Sequence, residues 1–154
     1  MLPGSKISGT TPLTRRILLL IAVLAVGGAL VSSVSLHHHY GTSQTSYCDF
    51  GESFNCDIVN RSTYSAILGV PVALIGIIGY LGLLALATLY RSQAGTPALL
   101  VIASLAGLGF ALYLTYIEGF VLAAWCVLCL SSLALIFCIT VLSSLLWAHS
   151  ARRT

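Results

Sequence analysis

Charge is scarce in this chain. Asp, Glu, Lys and Arg together make up 7% of 154 residues, and only four residues are acidic. A soluble domain carries roughly 25% charged residues. So few charges cannot cover a water-facing surface, which excludes a soluble globular domain. With 58% hydrophobic residues and a mean hydropathy of +1.00, the chain reads as one integral membrane domain in contact with lipid. The net charge of +3 is too small and too dispersed for nucleic acid. The sequence also lacks a Rossmann glycine fingerprint, a pair of haem ligands and iron–sulfur cysteine spacing, so none of those electron carriers is expected. It has one CxxC and no second, with the histidines remote from it. Zinc is therefore short of its four ligands, and no metal is expected.

What is present centres on Cys126-Val127-Leu128-Cys129, inside a hydrophobic run over residues 120–147. On a helix this spacing puts both sulfurs on one face, within reach of a disulfide. Three readings stay open: a redox couple at membrane depth, half of a metal site, and two buried thiols that happen to lie one turn apart. Five cysteines suggest two pairs and one spare, without fixing which pairs with which. Cys138 reads as the spare, a packing residue deep in the last span.

Four apolar runs organise the chain. Residues 1–14, rich in Gly, Ser, Thr and Pro, read as a disordered cytoplasmic tail. Residues 15–148 form the membrane domain and residues 149–154 a second cytoplasmic tail. Arg15-Arg16 precede a first span at 17–36, long enough to cross roughly 30 Å of hydrocarbon. It is read as uncleaved, despite a faint signal-peptide site at Ser32-Ser33-Val34-Ser35. The second span covers 66–90, with Pro71 in its first turns. Gly69, Gly76, Gly79 and Gly82 are expected to thin one face for a neighbouring helix. A third span runs from 97 or 98 to 117, and Glu118-Gly119 makes a very short turn into the fourth. Tyr90 and Trp147 suit interfacial anchors. Between the first two spans lies a polar stretch, 37–63. His37, His38 and His39 read as an interfacial polar cluster, since adjacent residues do not share a helix face. Asp57 is expected to cap a short helix through Tyr64, on which Ser62 and Thr63 lie.

Four spans put both termini on one side with the Arg91 turn. That side collects Lys6, Arg15, Arg16, Arg91, Arg152 and Arg153; Arg61 and all four acids (Asp49, Glu52, Asp57 and Glu118) fall opposite. The positive-inside rule then places the termini in the cytoplasm and the loop carrying Cys48 and Cys56 outside it, where disulfides persist. Cys126, about 9 Å along the helix from Phe120, is expected near the same outer surface. Two readings of the loop cysteines follow. As a staple, they close a short loop and stabilise it by a few kcal/mol at most. As a relay, an outer pair exchanges with a dithiol protein and passes electrons to the buried pair by thiolate attack on a disulfide sulfur. The buried pair then needs an acceptor that lives in the membrane, for which a quinone is the natural choice. Thiolate chemistry needs a lowered thiol pKa. Cys126, near a helix N-terminus, gains from the dipole there, whereas Asp49 and Asp57 oppose ionisation of the loop sulfurs.

These residues resemble the vitamin K epoxide reductase family, whose bacterial members act with disulfide-forming oxidoreductases. The resemblance rests on Cys48, on the run Cys56-Asp57-Ile58-Val59-Asn60-Arg61-Ser62-Thr63-Tyr64, on Gly69-Val70-Pro71, Gly76 and Tyr80, and on Tyr113 and Tyr116 before the CxxC. It implies an all-α membrane four-helix bundle around a quinone of the menaquinone, ubiquinone or phylloquinone type. An extracytoplasmic (in bacteria, periplasmic) loop and short helix cap the active site. It further implies that Cys48 exchanges with an external thioredoxin-fold protein and that Cys56 forms a transient mixed disulfide with Cys126. Cys129 would face the quinone, and Ser62 would hold the loop over the site as a second candidate cofactor contact.

The expected function is that of a quinone-linked thiol–disulfide oxidoreductase supporting disulfide formation. Vertebrate members that reduce the epoxide carry a Thr-Tyr-Ala run where this chain has Ser132-Leu133-Ala134, and an Asn in the second span that is missing here. Quinone or epoxide reduction for its own sake is therefore the alternative. A four-span adhesion or transport protein with a stapled loop is the non-enzymatic one. No ionisable group is expected within the hydrocarbon, and with the chain ending soon after the fourth span the redox partner is expected to be a separate protein.

Overall fold

A computed structural model describes residues 11–41, 54–89, 91 and 93–152. Lys6, Cys48, Asp49, Glu52, Tyr90 and Arg153 lie outside them. Helix α1 runs Pro12–Tyr40. Pro12 sits in its first turn, where the missing N–H would have found no intrahelical partner, so residues 12–14 of the expected tail are helical. At the other end α1 takes in the three histidines, and the Gly41 N–H closes it on the His37 carbonyl at 2.7 Å.

Helix α2 is one short piece, Cys56–Asn60. Its cap is Asn55, whose side chain accepts from the Ile58 N–H at 3.1 Å. Asp57, expected in that role, lies inside the first turn. A 3₁₀ turn, Thr63–Ser65, leads into a minimal antiparallel ladder of β1, Ala66–Ile67, and β2, Val70–Pro71. Leu68 (φ 52°) and Gly69 (φ 81°) join the strands, the left-handed pair that a two-residue hairpin demands. Residues 66–71 are thus extended, not the opening of a span. Pro71, fixed near φ −59°, stands as the cap of helix α3, Val72–Thr88.

Helix α4 covers Thr96–Ile117, with Pro97 in its first turn, and continues as a π-helical turn over Glu118–Leu122. Ala123, at φ 49°, stops it. Helix α5 then runs Val127–Ala151 with Cys126 as its cap. The expected two-residue turn at Glu118-Gly119 is therefore a longer passage, and the last helix starts seven residues later than its hydrophobicity suggests. The residues of 120–126 are apolar because they are buried against other elements or face lipid, which hydropathy cannot distinguish from helix.

The helices form a bundle in which α1 packs on α3 and α5, α5 on α4, and α3 on α4. The core includes Leu18, Ile21, Ala25, Tyr80, Leu83, Leu100, Ile136 and Ile139. Small residues let α1 approach α3: Ala25, Gly28, Ser32 and Ser35 are all buried on one face. A Cβ on Gly28 would overlap the Tyr80 ring, and one on Gly76 would meet Ser32 Oγ at 2.8 Å. By contrast Gly79 and Gly82 have open space beside them, so of the expected glycine stripe only Gly76 makes a close approach. The outer surface is apolar, with Leu19, Val23, Ile78, Ile102, Leu112 and Phe137 exposed; water would not tolerate this but lipid does. Cys138 is on this outer face and not in the packing. Among the described residues three stretches are long and apolar enough to cross a membrane: Pro12–Tyr40, Thr96–Leu122 and Val127–Ala151. The 17 residues of α3 are at the short end of the ~17–25 that a bilayer requires. The protein is an integral membrane helical bundle.

Candidate functional site

One end of the bundle gathers the sulfurs. Asn55 donates its backbone N–H to the Trp125 carbonyl at 3.2 Å, and Phe54 bridges to Trp125 in parallel register. This splice lays the residues before α2 alongside those before α5. As a result Cys56 and Cys126 are both fully buried in one small cluster with Val59 and Ala124, against which Cys129 packs. Cys56 is disulfide-bonded. Cys126 and Cys129 carry free thiols. Cys48 lies outside the described residues.

Cys126 is placed by its backbone and tuned through its sulfur. Its N–H, exposed by its position at the helix cap, donates to Glu118 Oε2 at 3.1 Å. Asn60 Nδ2 donates to its Sγ at 3.9 Å. Asn60 is itself fixed: Ser35 Oγ donates to its Oδ1 at 2.7 Å, and His39 Nδ1 donates to its carbonyl. A hydrogen bond from the Cys129 thiol holds the Cys126 thiol below its ordinary range. The Cys129 and Leu128 N–H groups of the first helical turn assist, while burial and the Glu118 charge oppose.

Beside Cys129 opens a cavity of about 360 Å³, within the ~300–1,000 Å³ of small-molecule sites. Its wall is mostly apolar, with Ala73, Gly79, Leu83, Phe110 and Leu114 among the lining residues. The polar exceptions include Asn60, Ser62, Tyr80, Glu118 and Ser132. Tyr80 donates its hydroxyl to the Ser132 carbonyl at 2.9 Å, and its oxygen lies 2.9 Å from Ser132 Oγ. A largely apolar space with a few hydroxyl, amide and carboxyl groups beside a thiol fits a quinone. Cys129 would stand at the reacting ring and the aliphatic wall would hold a tail.

Of the expected site residues, Cys56, Cys126 and Cys129 come together. Ser62 lines the cavity, but its hydroxyl is committed to the Val59 carbonyl at 2.9 Å, where it secures the turn after α2. The histidines are not a loose interfacial group. His38 is buried with Nδ1 3.7 Å from Asp57 Oδ1, and His39 binds Asn60, so the last turn of α1 clasps α2. Among the described residues no group of three His, Cys, Asp or Glu side chains could hold a metal.

Two residues escaped the sequence argument. Asn60 sits within a quoted motif but gives no sign of its reach to Cys126, 66 positions away. Glu118 did carry a signal: it is the only charged residue between Arg91 and Arg152. It is 1% exposed, and Thr96–Leu122 is one of the membrane-capable stretches. Glu118 is thus a buried ionisable group near the end of a membrane-capable stretch, in a turn after α4. Residues 19–144 match a family model described as the vitamin K epoxide reductase family.

Proposed function

Because the chain belongs to the vitamin K epoxide reductase family, which carries a quinone-linked redox function, we propose that it oxidises thiols of a thioredoxin-fold protein at the expense of a membrane quinone. Cys48 takes the incoming thiolate, and the Cys48–Cys56 disulfide opens. The Cys56 thiolate attacks Cys126 of an oxidised Cys126–Cys129 pair, forming a mixed disulfide and releasing Cys129. The second thiol of the thioredoxin-fold protein attacks its own sulfur bound to Cys48, so that protein leaves oxidised and Cys48 is freed. The Cys48 thiolate then attacks Cys56, closes Cys48–Cys56 again and releases Cys126, and both inner sulfurs are left reduced. Two electrons and two protons pass from that pair to the quinone, which supplies the oxidising equivalents when bound beside Cys129. Four spans, with both termini cytoplasmic and the loop outside, complete the reading and rest on the charge asymmetry.

The observation that carries it is the shared burial of Cys56 and Cys126, with Cys129 in the wall of the adjoining cavity. The staple reading has no use for a loop cysteine packed on the inner pair. The test is quinone absorbance with a reduced thioredoxin-fold protein and a soluble quinone, for wild type and Cys129→Ser. Turnover in the wild type and its loss in a folded variant are expected. Equal rates in the two proteins would remove the proposal. Supplying the epoxide in place of the quinone separates the alternative, in which the product matters and the thiol donor is incidental.

A further inference from the structure

We propose that Glu118 is the proton acceptor of the inner sulfur pair, taking the proton that leaves Cys129 and passing it into the cavity. The inference rests on the function proposed above and adds a proton path to its electron path. Glu118 uses one oxygen, Oε2, to receive the Cys126 N–H at 3.1 Å. Its other oxygen, Oε1, is buried and has no hydrogen-bond partner among the described residues. The side chain lines the same cavity as Cys129 and interacts with the Cys129 thiol. Among the described residues no Lys or Arg forms an ion pair with it.

Capping a helix does not explain a carboxyl here. Ser, Thr or Asn accepts such an N–H without the several kcal/mol that a buried charge costs. A titratable group with an open lone pair, between a thiol and a ligand-sized space, does what those residues cannot. The groups acting on it are the two sulfurs, Cys126 and Cys129. On α2, which packs against the Glu118 turn, Cys56 is disulfide-bonded and Asp57 faces His38. Tyr80, across the cavity, is bound to Ser132.

Reduced protein enters the step with Cys126 as thiolate, its proton already lost to water, and Cys129 as thiol. As the Cys126–Cys129 bond forms, the Cys129 S–H bond breaks and its proton goes to Glu118 Oε1. The electron pair goes to the quinone, and Glu118 returns to carboxylate by giving that proton to a quinone oxygen. The second proton comes from water.

The experiment uses the full chain in lipid nanodiscs, reduced beforehand and mixed with a soluble naphthoquinone, over a range of pH and in H₂O and D₂O. Glu118→Gln keeps an acceptor for the Cys126 N–H but takes no proton. Its quinone reduction is expected to fall about 100-fold, in the range of general acid–base effects, with loss of the solvent isotope effect. Disulfide exchange between loop and inner pair is not lost in this variant, because removing the Glu118 charge favours the Cys126 thiolate. Glu118→Asp recovers part of the loss. A second readout follows the proton itself: time-resolved infrared difference spectra during quinone reduction by the wild type show a transient protonated-carboxyl band that Glu118→Gln lacks. Wild-type rate and pH profile in Glu118→Gln would overturn the proposal. So would a wild-type spectrum without a carboxyl change, even if the variant failed to fold. Wild type that never reduces the quinone would instead sink the parent function.

Discussion

Asn60 shows how much a single amide is asked to do. It accepts from Ser35 on α1, and its N–H reaches the sulfur of Cys126 at the cap of α5. A hydrogen bond to a charged group contributes about 1.5–3 kcal/mol. Asn60→Ala is therefore expected to slow formation of the Cys56–Cys126 mixed disulfide by at least about tenfold, read on a non-reducing gel in a Cys129→Ala background. Cys129 tunes its neighbour in the same manner. Its thiol holds the Cys126 thiol down, so the reactive thiolate is present above that lowered pKa and disappears as pH falls through it. Cys129→Ala removes the donor, and the midpoint of the Cys126 thiolate's ultraviolet absorbance against pH should move upward; an unchanged midpoint would show that the helix N–H groups suffice. At this scale the sequence was informative about which sulfurs lie together and silent on what surrounds them. A CxxC announces itself by spacing, whereas Asn60 acquires its role only when α2 folds back onto α5.

Helix positions were legible where a long apolar run coincided with a single element, as in α1 and α4. They were not where apolar residues did something else. Leu68 and Gly69 turn a hairpin, and Ala123 breaks the helical path, yet neither stretch lowers hydropathy enough to mark it. The glycines make the same point. Gly76 meets Ser32, while Gly79 faces open space and Gly28, unremarked in the sequence, accommodates the Tyr80 ring. Gly28→Ala is expected to push α1 from α3 and lower stability by about 1–3 kcal/mol, the usual range for overpacking. Gly79→Ala should leave it within about 0.5 kcal/mol, as for changes away from packed features. Thermal unfolding in one detergent, for both variants side by side, decides this. A third variant concerns the splice: Gly119 lies against Trp125, where an added Cβ would meet the indole at 3.0 Å. Gly119→Val should displace Trp125 from Phe54 and Asn55, and so cut mixed-disulfide formation while the Cys126–Cys129 pair still oxidises.

As a whole the molecule is a helical bundle with an apolar outer surface, and this was the most legible feature of all, because a chain with 7% charge has no other surface to offer. Its outer residues answer to lipid. Arg in the middle of a spanning helix costs about 2.5–3.5 kcal/mol on insertion scales. Leu105→Arg, on the exposed face of α4, should therefore reduce the membrane-inserted fraction after carbonate extraction, whereas Leu105→Phe should not. Cys56 and Cys126 are sealed from solvent, so a freely diffusing tripeptide thiol has no line of approach to either atom. Both sulfurs are thereby insulated from the thiol concentration of their surroundings.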